Sequence, residues 1–227
     1  MQDNNAPPLN PLPPVVWLLA LPMIALEMMF NLGSAGMIGG GAAVGWRTAA
    51  IEHYGLWPEF WRQQLAIGNF DAGLLMRFVT YPFLHFTVTQ AVFAIVILLA
   101  LGKFVGEIFR WWALLVVFFG AAIVGGLVYV SIPDIRQPLF GAFPAVYGLI
   151  GAFTFLVWVR LAGTGMNQFR AFSMIGFLLF IQLIFGLLFG GGWEWTADLP
   201  GFATGFFLSF VVSPGGFGRV RDRLRQR

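Results

Sequence analysis

Charge is the first thing this sequence lacks. Only 10% of its 227 residues are Asp, Glu, Lys or Arg, while 59% are hydrophobic; a soluble domain carries roughly 25% charged residues. Too few charges are present to cover a water-facing surface, so an ordinary soluble domain is excluded. Cysteine is absent, which removes disulfides and thiolate metal sites and leaves the redox compartment undetermined. Histidine occurs twice, as His53 and His85, and serine five times, as Ser34, Ser131, Ser173, Ser209 and Ser213. With no His or Cys neighbour at ligand spacing, neither histidine reads as a metal ligand. No Gly-rich phosphate loop follows a strand, and no cofactor is expected. Residues 1–14 are polar and Pro-rich without the positive stretch of a signal peptide, so the apolar run after them reads as a retained helix.

What the sequence has is long apolar runs. About 20 apolar residues cross a hydrocarbon core of roughly 30 Å, and in lipid the backbone must satisfy itself, which favours helices. Six candidate spans follow: 15–37 (interrupted by Pro22 and Glu27 and running into the Gly-rich 33–41), 80–101, 111–130, 143–161, 171–189 and 199–212. The last is the shortest, and without it the count is five. The expected fold is therefore an all-α polytopic membrane protein, with a membrane domain at 15–213 between a Pro-rich tail at 1–14 and a basic tail at 214–227.

Charge placement supports an even count. Both termini then share a side with Lys103, Arg110, Arg160, Arg170 and the arginines at 219, 221, 223, 225 and 227; Arg47, Arg62, Arg77 and Arg136 face the other side. Nine positive residues against four put both termini in the cytoplasm. The basic tail reads as a topology anchor, and membrane lipid rather than nucleic acid is the expected partner. The compact layout suggests a bacterial inner membrane. The loop at 40–76 mixes Trp46, Trp57, Phe60, Trp61 and Phe70 with Arg47, Glu52, Glu59 and Arg62, a pattern for short helices in the headgroup region.

Small residues at four-residue spacing mark helix contact faces in lipid. The fourth span offers Gly141, Ala145, Gly148 and Ala152, and the sixth offers Gly201, Gly205, Ser209 and Ser213. These two helices are expected to pack together, bringing Phe143 and Pro144 close to Asp198 and Pro200. Glu27 and Gln182 are the polar residues at mid-membrane depth. Glu27 is a functional candidate by default, or else faces polar groups in the bundle or a membrane edge. Asp198, ahead of Leu199 and Pro200, reads as an N-cap, with contact to a client or an ion as the alternative.

Three segments carry a resemblance. Arg77-Phe-Val-Thr-Tyr-Pro-Phe-Leu-His85 leads into the second span, Gly141-Ala-Phe-Pro-Ala-Val-Tyr147-Gly148 opens the fourth, and Ala197-Asp-Leu-Pro-Gly201-Phe-Ala-Thr-Gly205 opens the sixth. In this order and spacing they resemble the rhomboid family, the intramembrane serine proteases, and the resemblance implies a six-helix rhomboid-like bundle. It also implies structural roles for Arg77, which would bond loop carbonyls, and for His85, which would order the loop. The catalytic pattern is missing. The family's nucleophilic serine falls at Phe143, the following glycine at Pro144, the histidine base at Asp198, and the oxyanion-stabilising residues at Gln90 and Ala94. Pro144 has no N–H to donate, but near a helix start it is structurally comfortable.

The resemblance implies an inactive member that binds transmembrane helices of other proteins, as a regulator of clients or an accessory subunit of a membrane complex. The fifth span, rich in phenylalanine (Phe172, Phe177, Phe180, Phe185, Phe189), would offer a client face beside the second, or lie in lipid or core. The alternative is an enzyme: an unorthodox intramembrane peptidase, or a hydrolase using Asp198. Ser131 and His85 end and begin spans, but nothing in their context makes a dyad. A transporter or channel is least favoured, since no inverted repeat is visible.

Overall fold

The computed structural model describes residues 11–189 and 192–214. The arginines at 219–227 and most of the Pro-rich start lie outside the described residues, as do the side chains of Gln182, Phe185 and Phe189. Helix dominates, and the only β pairing among the described residues is one isolated bridge. Five helices are long and apolar enough to cross a membrane: α1 (Pro14–Ser34), α5 (Val88–Gly106), α6 (Trp111–Ser131), α7 (Phe143–Gly163) and α9 (Trp195–Val212). Between α1 and α5 come three shorter ones, α2 (Trp46–Tyr54), α3 (Pro58–Ala66) and α4 (Ala72–Thr80), and α8 (Ser173–Phe189) precedes α9. The chain is an all-α polytopic membrane protein.

The boundaries correct several expectations. The shortest of the six apolar helices is α8, with 17 residues, not α9, which has 18. α9 begins at Trp195 and runs through Pro200. The proline costs one backbone bond, to the Thr196 carbonyl, and the helix continues past it. Asp198 is therefore not an N-cap but a residue of the first turn, donating its own N–H to the Glu194 carbonyl at 3.1 Å. The second span starts later than residue 80. The chain turns through a 3-10 segment, Tyr81–Phe83, around Pro82, and restarts where the Thr87 hydroxyl caps the Gln90 N–H at 3.1 Å. The first span ends at Ser34 rather than residue 37.

The loop helices are tied down by backbone and arginine bonds. Leu56 and Leu139 exchange N–H···O bonds of 3.0 and 2.8 Å, pinning the loop to the α6–α7 connection. Arg62 donates to the carbonyls of Ile132 and Ile135, both at 3.0 Å, and Arg77 to those of Glu52 (3.0 Å) and Gly55 (2.8 Å). Exposed Ile67 and Phe70 leave this region amphipathic.

The centre of the bundle is α7 laid against α9, with α6 across both. Close approach requires glycine here. A Cβ on Gly205 would strike the Gly148 carbonyl, one on Gly201 the Pro144 carbonyl, and one on Gly151 the Phe202 carbonyl and, at 2.6 Å, the Phe206 nitrogen. On the α6 side, Gly125 lies under the Ala197 carbonyl, 2.5 Å from where its Cβ would be. Between helices in lipid there is little hydrophobic drive, so this contact of backbone on backbone carries the association. Two members of the small-residue stripes are not helical. Gly141 precedes α7 at φ +97°, and Ser213 is the C-cap of α9.

Candidate functional site

The positions singled out by the three segments converge on the start of α7. Gly141 turns the chain at a positive φ that only glycine adopts without strain, and its N–H donates to the Tyr81 carbonyl at 3.0 Å. Ala142 caps the helix, with Phe143 and Pro144 as its first two residues. Pro144 costs nothing at this position because the first turn has no intrahelical N–H partner.

His85 faces this turn from the front. Its Nε2 accepts the Ala142 N–H at 3.4 Å, and its own carbonyl accepts from Arg47 at 2.6 Å. Gln90 is committed as well. Its Oε1 accepts the Phe86 N–H at 3.0 Å, while its Nε2 sits 3.0 Å from where a Gly141 Cβ would be. Ala94 is fully buried one turn further along α5. Asp198 comes in from α9, 3% exposed, in electrostatic reach of the Tyr81 phenol. Burial first, and then this carboxylate, push that phenol well above its ordinary pKa; its hydroxyl donates to the Ala122 carbonyl at 2.8 Å. Tyr147 and Gly148 are buried in α7 directly behind.

The described serine hydroxyls that form bonds do so locally. Ser131 donates to Leu127, Ser209 to Gly205 and Ser34 to Asn31. Phenylalanine at 143 has no nucleophilic atom, and among the polar side chains here His85 and Gln90 already serve the loop while the Tyr81 hydroxyl serves the Ala122 carbonyl.

Glu27 faces a partner that the sequence did not reveal. Arg47 reaches back from α2 and meets its carboxylate with both guanidinium nitrogens, at 2.6 and 3.0 Å, while Asn31 donates to Oε1 at 2.9 Å. The same guanidinium stacks on Phe30 at 5.2 Å and bonds the His85 carbonyl. One chain of contacts therefore runs from α1 through α2 to His85 and on to the start of α7. The twenty-residue separation of Glu27 and Arg47 hid the pair. The available signal was a lone acid in a span followed by a lone arginine just after a Gly-rich break.

Burial holds the His85 pKa down to about 4, from an ordinary 6.5, with Arg47 adding to the depression and Glu27 opposing it. The unfolded chain takes up a proton between pH 6.5 and 4 that the folded chain refuses, so stability is complete above pH 6.5 and falls as pH drops through that window. The difference is worth about 3 kcal/mol. Thermal unfolding in detergent from pH 7.5 to 4.5 is expected to show this loss, and His85→Gln to show a smaller pH-dependent loss over the same range. Equal slopes for both would remove His85 as its source.

The family model for the Rhomboid domain matches residues 72–215, which takes in α4 to α9 and every position named around the start of α7, while the Glu27–Arg47 pair and its neighbours in α1 and α2 lie before it. No curated protein matches the chain. With more than half of its length matched and the bundle built as described, the chain belongs to the rhomboid family, the membrane-embedded family of intramembrane proteases.

Proposed function

We propose that this chain is a rhomboid pseudoprotease, a family member without peptidase activity that binds transmembrane helices of other membrane proteins. The observation that carries the reading is the start of α7. The resemblance puts Phe143 and Pro144 at the positions of the nucleophile and of the residue after it, and both open α7 within a frame of Gly141, Tyr147, Gly148, Gly201 and Gly205. Acyl transfer needs a nucleophile within hydrogen-bond reach of a base and donors aimed at the developing oxyanion, each worth about 3 kcal/mol. Phe143 and Ala94 supply neither. The lateral faces suit helix recognition: α5 presents Val92, Phe93 and Val96, and α8 presents Phe177 and Phe180, all more than half exposed. The charge count favours cytoplasmic termini, and a bacterial inner membrane is the proposed location.

Co-purification of the tagged protein at native expression, read by mass spectrometry, tests this. Membrane partners are expected. One partner at constant ratio marks an accessory subunit, and a broad substoichiometric set of single-span proteins marks client binding. An absence of any specific partner would sink both. Phe143→Ser alone is expected to give no cleavage of a fluorogenic transmembrane peptide in proteoliposomes, because base and oxyanion donors are still missing. Measurable hydrolysis by that variant, or by the wild type, would overturn the non-enzymatic reading.

A further inference from the structure

A lateral groove of about 650 Å³ lies between α1, α2 and the 3-10 turn after α4. Its walls are apolar: Leu26 and Met29 from α1, Trp46 and Ala50 from α2, and Phe83 and Leu84 from the turn. Its polar groups gather at one end. His53 and Tyr54 close α2 with rings 6.4 Å apart, and the Thr80 hydroxyl donates to the Tyr54 carbonyl at 3.0 Å. That end lies about 12 Å along α2 from Trp46, at about 1.5 Å per residue.

We propose that this groove binds one acyl chain of an anionic bilayer phospholipid, with its phosphate at the His53–Tyr54–Thr80 end. Three observations select the occupant. First, α1 is a membrane span whose Leu18, Leu21 and Met28 are all more than half exposed, so the groove opens onto hydrocarbon rather than water. Second, its size suits a slender chain better than an enclosed helix. A helix about 10 Å across would fill this volume in about 8 Å of its length, roughly a quarter of a membrane crossing, whereas a slender chain can lie along it. Third, a cation stands beside the polar end, outside the groove's lining and packed over the Phe60 ring at 4.9 Å. Arg77 places its guanidinium on the carbonyls of Glu52 and Gly55, either side of Tyr54, rather than on a carboxylate. An apolar slot with polar groups at one end and a cation next to them complements an amphiphile with an anionic head.

Burial of the chain gains nothing over the bilayer, whose tails are as apolar as the groove. Retention therefore rests on fit and on the head contacts, and headgroup preference follows. The test is native mass spectrometry of the full-length protein, delipidated in detergent and titrated with dioleoyl phosphatidylglycerol. The expected result is one adduct that saturates before any other. Ala49→Phe and Ala50→Phe, which fill the groove, are each expected to weaken it at least about tenfold, equivalent to about 1.4 kcal/mol. Ala203→Phe, on the lipid-facing groove between α6 and α9, leaves it unchanged, and phosphatidylcholine competes poorly. Ala49 is exposed, so its variant reads the groove even where Ala50→Phe misfolds. A ladder of adducts with no saturable first step, or an adduct unchanged in Ala49→Phe, overturns the proposal.

Discussion

Gly205→Val is expected to leave the membrane domain without a cooperative unfolding transition, or with one lowered by well over 10 °C. The Cβ of any residue at 205 would enter the Gly148 carbonyl on α7, and that carbonyl is backbone, which no rotamer change can move aside. Relief requires α7 and α9 to separate along their length. That would also lift Gly201 off the Pro144 carbonyl and Gly151 off Phe202. Overpacking a core costs about 1–3 kcal/mol where side chains can yield, so a clash between two backbones lies at or above the top of that range. The control is Gly176→Ala, in α8, where an added Cβ meets nothing within 4 Å. Removing a helical glycine there should stabilise by about 0.5–1 kcal/mol. Thermal melts of both variants in the same detergent decide the matter, and a Gly205→Val protein melting with the wild type would mean that α7 and α9 do not pack as described.

That pair of helices was legible in the sequence because packing in lipid is written in small residues at a fixed spacing, and Gly148, Gly201 and Gly205 stand at it. The candidate site was read for a different reason, since the resemblance assigns Phe143, Pro144, Asp198 and Gln90 to positions marked by their neighbours. Helix ends were harder. Asp198 followed by Leu and Pro200 has the composition of a helix start at 199, yet α9 begins at Trp195, because a proline in a membrane helix sacrifices a single bond that neighbouring helices make tolerable. Likewise the run around Pro82 reads as continuous hydrophobicity, and only the Thr87 cap shows where α5 starts. Gln90 was read as the one oxyanion position retaining hydrogen-bonding capacity, whereas in the fold that capacity goes to Phe86. Long-range polar pairing left only a faint mark, a lone acid in a span and a lone arginine twenty residues on, with nothing local to join them.

Arg47→Met is expected to cost about 3–5 kcal/mol, because it leaves the Glu27 carboxylate with the Asn31 amide as its remaining side-chain donor in a largely enclosed position. Glu27→Gln should cost less. The amide oxygen can still accept from Asn31, and Arg47 keeps its bond to the His85 carbonyl. The double variant Glu27→Gln/Arg47→Met then costs less than the sum of the two, with a coupling of at least about 1 kcal/mol, since no uncompensated charge remains. Unfolding titrations of the three variants and the wild type, in one detergent at neutral pH, supply the cycle. Strict additivity would mean that the pair contributes nothing in the membrane. Coupling would tie α1 to α2, and through the His85 carbonyl to the start of α7, where the His85 ring holds Ala142. Arg47→Met should accordingly weaken the pH dependence assigned to His85, because a loosened His85 is no longer shielded from water and titrates nearer its ordinary value. An Arg47→Met protein that keeps the wild-type pH profile while losing stability would confine the ion pair to holding the loop.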